Sequence, residues 1–387
     1  VDEFQDTNAL QYEIIAELIK SNNRINILFV GDVNQAIYSG LGGVAKSHRE
    51  ISNMCGVVFK EDILNGCYRS TNRIIDYYRN FEVNKTGVVS VSENKDVHGT
   101  IKYNTSVTKE NVYSEIADII NVQIANGIKE NEICVIAPQW YQIYPVSNKL
   151  KSMLPTIKFD APNISPFKTN PMNPFYLMAK LLFTEAGVRV SVRKRVATEI
   201  INMLKTDYQI FIPESFDGYK LLRILNSVPI NDDNGVEMYK DAVSAIFNVL
   251  KIADESEKSL LETYSNFMNE VNERIKRNSI SCSYQACCNC FKEREGIVVN
   301  TIHGVKGEEY TTVIAFDLLN GHLPHWDYII DKNKKPYRTI ETKKLLYVLC
   351  SRAKQNLYLF SEKGRKTQKG YEYTATNELT CIKCVYD

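Results

Sequence analysis

The chain has 387 residues, 44% of them hydrophobic and 24% charged, with a formal net charge of +1. That length predicts two or three domains, each able to bury a core. The near-neutral balance excludes a bulk polycation, so nucleic-acid contact would have to come from local basic patches such as Arg189 to Arg195 or Lys363 to Lys369. Such runs also occur as plain solvated faces. No stretch approaches the ~20 apolar residues of a membrane span. Ten scattered cysteines suit a reducing compartment, and a cytoplasmic or nucleoid-associated setting is expected.

In chain order, Leu10, Ile14 and Leu18 with Ile15 and Ile19 predict an amphipathic helix over Thr7 to Lys20, capped by Asp6 or Thr7. Ile25 to Val30 is a continuous apolar run stopped by Gly31-Asp32 and reads as a buried parallel strand. A further strand is expected at Val57 to Phe59, then a helix from Thr71 to Asn80 capped by Ser70. Strands follow at Thr100 to Tyr103, Ile133 to Ala137 and Ile157 to Phe159. From about Asn170 to Asn278 the period becomes helical, as in Leu177, Leu181, Leu182 and later Val243, Phe247, Leu250. Strand signals resume at Ile297 to Asn300 and Thr312 to Phe316. A helix from Glu341 to Ala353 and a strand from Asn356 to Phe360 come last. The fold class is α/β, a parallel sheet interrupted by an inserted helical subdomain.

Five short patterns carry chemistry. Asp2 and Glu3 are adjacent carboxylates at an expected strand end, where one can hold Mg²⁺ and its neighbour can activate a water. Alone they read as a solvated acidic turn. Gln35, in Gly31 to Gln35, offers an amide able to meet both a γ-phosphate and an attacking water, although the segment is also an ordinary turn. Tyr68-Arg69-Ser70 pairs a ring for base stacking with a guanidinium that grips phosphate bidentately and keeps its charge. Thr301 to Tyr310 places Gly304 and Gly307 after a strand, which exposes backbone N–H groups beside charged side chains. Leu345 to Ala353 is an apolar helix ending in Arg352, a candidate finger across a cleft or a partner of the helix dipole.

In this order, DEFQDTN, VGDVNQAIYSG, CYRSTNRI, VVNTIHGVKGEEY with Leu323-Pro324-His325 downstream, and LLYVLCSRA resemble motifs II to VI of the UvrD/Rep/PcrA type of superfamily 1 helicases, from Asp2 to Phe360. The resemblance implies RecA-like domains that clasp ATP and step along single-stranded or partly duplex DNA, usually 3′ to 5′. It implies Asp2 as the Mg²⁺ ligand, Glu3 as general base and Gln35 as γ-phosphate sensor. Tyr68 would stack on adenine, Arg69 and Arg352 would reach the γ-phosphate, and Glu309 would sit near the ribose. Tyr38 and His303 would lie on the DNA path, where stacking tolerates any base. The implied domains are 1–66, the C-terminal part of a first, truncated RecA-like domain; 67–169 and 291–387, the two parts of a second; and 170–290, the helical insert.

Three departures qualify the resemblance. No G-x-x-x-x-G-K-[ST] occurs, so the phosphate cradle is missing; a fragment of a longer protein is expected, turning over ATP negligibly by itself. Gly40-Leu41 stand where the family commonly has Trp-Arg, which predicts a weaker grip on single strands. The compact insert suggests a specialised helicase with a nuclease or other protein partner. The other reading is a helicase-derived module that binds DNA or a partner without unwinding. Cys287 to Cys290 and Cys381 to Cys384 have zinc-compatible C-x-x-C spacing, but lacking histidines at fixed spacing they read as ordinary thiols.

Overall fold

The structure is a computed structural model describing all residues except 23, 40, 41, 162–164, 188, 253–256, 279 and 292–294, with the side chain of residue 278 also left out. Gly40 and Leu41 therefore lie outside the described residues. The chain divides into two compact units, 1–161 with 295–387, and 162–294.

In the first unit, α1 (Ala9–Ser21) and α2 (His48–Cys55) precede a short parallel pair, β1 (Gly66–Cys67) with β2 (Val89–Ser90), which flanks α3 (Asn72–Tyr78). Then come β3 (Ile101–Asn104), α4 (Val112–Ala125), β4 (Ile133–Ala137), α5 (Trp140–Met153) and β5 (Phe159–Asp160). The second unit holds α6 (Pro174–Leu182), α7 (Val190–Thr206), α8 (Gly218–Ser227), α9 (Gly235–Leu250), α10 (Lys258–Asn278) and α11 (Tyr284–Asn289). The chain returns to the first unit with β6 (Ile297–Thr301), β7 (Tyr310–Ala315), α12 (Asp327–Ile330), α13 (Arg338–Cys350), β8 (Ala353–Phe360) and α14 (Asn377–Thr380).

Six described strands form one parallel sheet in the order β3-β8-β7-β4-β6-β5. The run Ile133-Cys-Val-Ile-Ala137 sits between β7 and β6 with all five residues buried, because a central parallel strand is covered on both faces. Val112, Ile116 and Ile120 recur at helical spacing and are each fully buried on α4, as are Ile143, Val146 and Leu150 on α5. At roughly 1.5–3 kcal/mol per buried aliphatic side chain, these faces fix the helices on the sheet. The second unit buries its own core around Phe167, Phe175, Phe183, Tyr239 and Phe267, with the Tyr239 hydroxyl donating to the Phe175 carbonyl at 2.9 Å. The α/β class with a helical stretch agrees with the sequence.

Several local expectations are corrected. α1 buries Tyr12, Ala16 and Ile19, while Leu10, Ile14 and Leu18 are exposed. The sequence carries two apolar stripes roughly opposite one another, and the Tyr12 hydroxyl, donating to the Phe4 carbonyl at 2.8 Å, selects the other one. The cap of α1 is Asn8, in a reciprocal box with Gln11, because Asp6 is held elsewhere. Ile25 to Val30 is extended but joins no ladder among the described residues. Its backbone bonds to residues 1–4 (Val30 N to the Val1 carbonyl at 2.8 Å, Phe4 N to the Val30 carbonyl at 3.0 Å) form no strand pair, and Leu28 is 71% exposed. Val57 to Phe59 forms no strand, and Val58 is 97% exposed. Thr71 caps α3 instead of Ser70, whose hydroxyl donates to the Ala353 carbonyl at 2.7 Å. α13 starts at Arg338 and stops at Cys350, so Arg352 stands in the turn before β8 and not on the helix.

Candidate functional site

The carboxyl ends of α13 and the turn after β6 meet the opening segment of the chain within the first unit. Glu3 adopts φ 48°, a left-handed conformation uncommon outside glycine, and a 3-10 turn follows at Phe4–Asp6. Asp2 and Glu3 are both exposed, and one Asp2 carboxylate oxygen accepts the Glu3 amide at 2.9 Å. The Glu3 carboxylate accepts from the Gln5 amide at 2.5 Å. Gln5 itself is buried, and its other amide atom accepts from Asp32 N at 3.1 Å, which docks the Gly31 turn against the acidic segment. A Cβ at Gly31 would lie 2.1 Å from the Gln5 Oε1, so only glycine permits that approach.

Asp32 caps the 3-10 turn Val33–Gln35 through Asn34 N and accepts from Gln35 Nε2 at 3.0 Å. This leaves the Gln35 oxygen to face Arg352, whose Nη2 lies 3.3 Å away. The Arg352 residue is 1% exposed. Its remaining donors reach the Val348 carbonyl at 3.0 Å, the Glu308 carbonyl at 3.1 Å and the Ser351 hydroxyl at 3.0 Å. No carboxylate lies within ion-pair distance of it among the described residues. Burial pushes its guanidinium down to about 10. A buried cation held only by neutral oxygens is ready for an anion.

Arg69 stands beside it in a different state. Its Nε donates to Glu309 at 2.8 Å and its Nη1 to the Ser351 carbonyl at 3.0 Å. The Arg69–Glu309 bond, the largest effect, holds the Glu309 carboxyl below the usual range, with burial opposing and Lys354 at 3.4 Å assisting. Tyr68, 82% exposed, projects into solvent next to it.

The turn after β6 carries His303. A Cβ at Gly304 would meet the Asn300 side chain at 2.1 Å, so glycine lets the turn fold over Asn300. The His303 Nε2 lies 3.1 Å from the Ile37 carbonyl, and the Tyr38 hydroxyl donates to the His303 carbonyl at 3.2 Å. The two rings are 5.6 Å apart, centroid to centroid. Lys306, from the same turn, reaches Asp6 at 2.5 Å, the Gln35 carbonyl at 2.9 Å and Glu3 at 3.5 Å. Lys306 and Asp6 were not singled out from the sequence. Both sit inside quoted motifs, yet 300 residues separate them and no spacing rule joins them.

The sequence-predicted residues thus gather in two groups: Glu3, Gln35 and Arg352 with Arg69 and Glu309 nearby, and the Tyr38–His303 pair. Of the basic patches, Arg193 is buried, donating to Thr184 and Asn226, and Arg365 is paired with Asp317 at 3.1 Å and Glu362 at 2.7 Å. These two are structural. Among the described residues no group of three or more His, Cys, Asp or Glu could hold a metal. The donor set at Asp2 and Glu3 fits a cation that takes one or two carboxylates and completes its shell with water and phosphate, as Mg²⁺ does.

Two family descriptions match the sequence: the UvrD/REP helicase N-terminal domain over residues 1–54 and the UvrD-like helicase C-terminal domain over residues 194–364. The chain is 24% identical to a "Probable DNA helicase II homolog" of Mycoplasma capricolum subsp. capricolum, across 100% of this chain and 57% of that protein. It is 23% identical to a protein of the same description from Mycoplasma genitalium, covering 93% and 53%. To the RecBCD enzyme subunit RecB of Buchnera aphidicola it is 23% identical, covering 81% and 31%. The chain spans a little over half the length of the two helicase II homologs. No helix of the described residues is long and apolar enough to cross a membrane. Matched at both ends by the family's two domains and along its length by helicase II homologs, the chain belongs to the UvrD-like family of superfamily 1 DNA helicases.

Proposed function

We propose that the protein couples ATP hydrolysis to movement along single-stranded DNA, in the 3′ to 5′ direction, and thereby unwinds duplex. The observation that carries this reading is Arg352: a guanidinium 1% exposed, without a carboxylate partner among the described residues, and touching the amide of Gln35. A fold holds such a charge at a desolvation cost, which a bound polyphosphate offsets by accepting its hydrogen bonds.

In this reading Asp2 holds Mg²⁺, which neutralises charge on the phosphates when bound. Glu3 accepts the proton of the attacking water. Gln35 orients that water and reports the γ-phosphate to Arg352. Arg69 leaves Glu309 for the phosphate, which frees Glu309 for the ribose, and the exposed Tyr68 ring covers adenine. Tyr38 and His303 contact bases. The likeness to RecB, by its description a subunit of the RecBCD enzyme, motivates a nuclease or other protein partner here too.

The test is ATP hydrolysis by the protein in its natural full length, with and without single-stranded DNA, beside Glu3→Gln and Arg352→Ala variants. DNA-stimulated turnover abolished by Glu3→Gln and lowered about 10²-fold or more by Arg352→Ala is expected. Wild-type DNA binding with no turnover would replace this reading with that of a binding module.

A further inference from the structure

We propose that Lys306 is a positioning residue that links the DNA-contacting pair Tyr38–His303 to the carboxylates Glu3 and Asp6, an inference that rests on the functional reading above. Its ammonium is nearly enclosed, with a side chain 8% exposed. Four groups surround it: Asp6 at 2.5 Å, the Gln35 carbonyl at 2.9 Å, Glu3 at 3.5 Å and the face of the Tyr38 ring at 5.1 Å. An enclosed ammonium is stable only while such partners stay in place, so it moves with them or pulls them along.

The partners come from segments with different tasks. Glu3 and Asp6 belong to the acidic turn, whereas Gln35 and Tyr38 follow the Gly31 turn. Lys306 itself is bonded back to His303, its N–H donating to the His303 carbonyl at 3.4 Å. That same carbonyl accepts the Tyr38 hydroxyl at 3.2 Å, and His303 Nε2 meets the Ile37 carbonyl at 3.1 Å. A base inserted at Tyr38 and His303 must therefore shift the short turn His303–Val305 against residues 37–38, and the ammonium shifts with it. Glu3 has only one other side-chain partner among the described residues, the Gln5 amide at 2.5 Å, so its carboxylate follows. The second oxygen of Asp6, Oδ1, is buried with no partner, which gives the ammonium an acceptor to turn toward without leaving that carboxylate. Occupancy of the DNA face thereby sets the orientation of the proposed general base.

The experiment uses this 387-residue chain and a short fluorescein-labelled thymidine oligonucleotide. Binding is read by anisotropy, and amide hydrogen exchange by mass spectrometry of peptides spanning Asp2 to Asp6. In the wild type the oligonucleotide is expected to change exchange at Asp2 to Asp6 by about fivefold or more, the low end of ordinary coupling between sites. Lys306→Met should keep most of the affinity but lose that change, and Lys306→Arg should restore it. Asp6→Asn, which keeps the shape of the side chain, should lose it too. A change that persists undiminished in Lys306→Met and Asp6→Asn would overturn the linkage while leaving the functional reading intact. No binding by the wild type would overturn the functional reading, and the linkage with it.

Discussion

Replacing Arg352 tests how its charge is held. Burial lowers the guanidinium from its ordinary value to about 10, which is about 3 kcal/mol against the charged form. Against this stand its bonds to the Val348 and Glu308 carbonyls, the Ser351 hydroxyl and the Gln35 amide. Losing neutral acceptors of this kind costs about 1 kcal/mol each. Arg352→Met keeps most of the aliphatic stem, removes the charge and strands no carboxylate. The two effects nearly cancel, and stability within about 1 kcal/mol of wild type is expected. Arg352→Ala also removes the Cγ and Cδ methylenes of the buried stem and leaves a cavity, so it should be roughly 2 kcal/mol less stable than the Met variant. The assay is urea unfolding followed by tryptophan fluorescence. Both tryptophans of the chain, Trp140 and Trp326, lie in the unit that contains Arg352, so the signal reports on that unit. A loss of about 3–5 kcal/mol in Arg352→Met would refute the reasoning, because that is the cost of stranding the partner of a buried ion pair. The guanidinium would then have a counter-ion already, and its role as a waiting anion site would fall.

Burial raises the Glu132 carboxyl, but bonds from the Thr311 hydroxyl at 2.6 Å and Lys354 at 3.2 Å outweigh it and hold the group below the usual range. Its stabilisation is present above the ordinary glutamate value of about 4.3 and is lost as pH falls from there through the lowered folded value, so urea midpoints across that window should drop more steeply in wild type than in Glu132→Gln; parallel profiles would contradict this. On α1, Ile14→Lys or Leu18→Lys should change stability by no more than about 0.5 kcal/mol, whereas Tyr12→Ala should cost about 3 kcal/mol. Equal losses in circular-dichroism melts would mean that the helix packs by its other face.

The sequence by itself determined the fold class, the order of the elements and the motifs. A run such as Ile133 to Ala137 is apolar throughout because a strand covered on both faces has no room for a solvated side chain, and that pattern is readable without coordinates. The helical stretch announced itself in the same way, by a period that local backbone geometry imposes. What failed were elements whose burial depends on a neighbour. Ile25 to Val30 has the composition of a sheet strand but joins no ladder among the described residues, and α1 carries two apolar stripes between which Tyr12 and its bond to Phe4 decide. At the site, the residue types of Glu3, Gln35 and Arg352 were legible as chemistry, and the family resemblance implied that they converge on one phosphate. The contacts themselves were not legible, nor was the Asp6–Lys306 pair, because hydrogen bonds and ion pairs act over a few ångströms whatever the separation along the chain. Tertiary structure alone decided that Arg352 is buried without a carboxylate partner among the described residues while Arg69 is already paired with Glu309. Local sequence fixes which groups a segment can offer; only the packed sheet, by excluding water, fixes which of them must find one another.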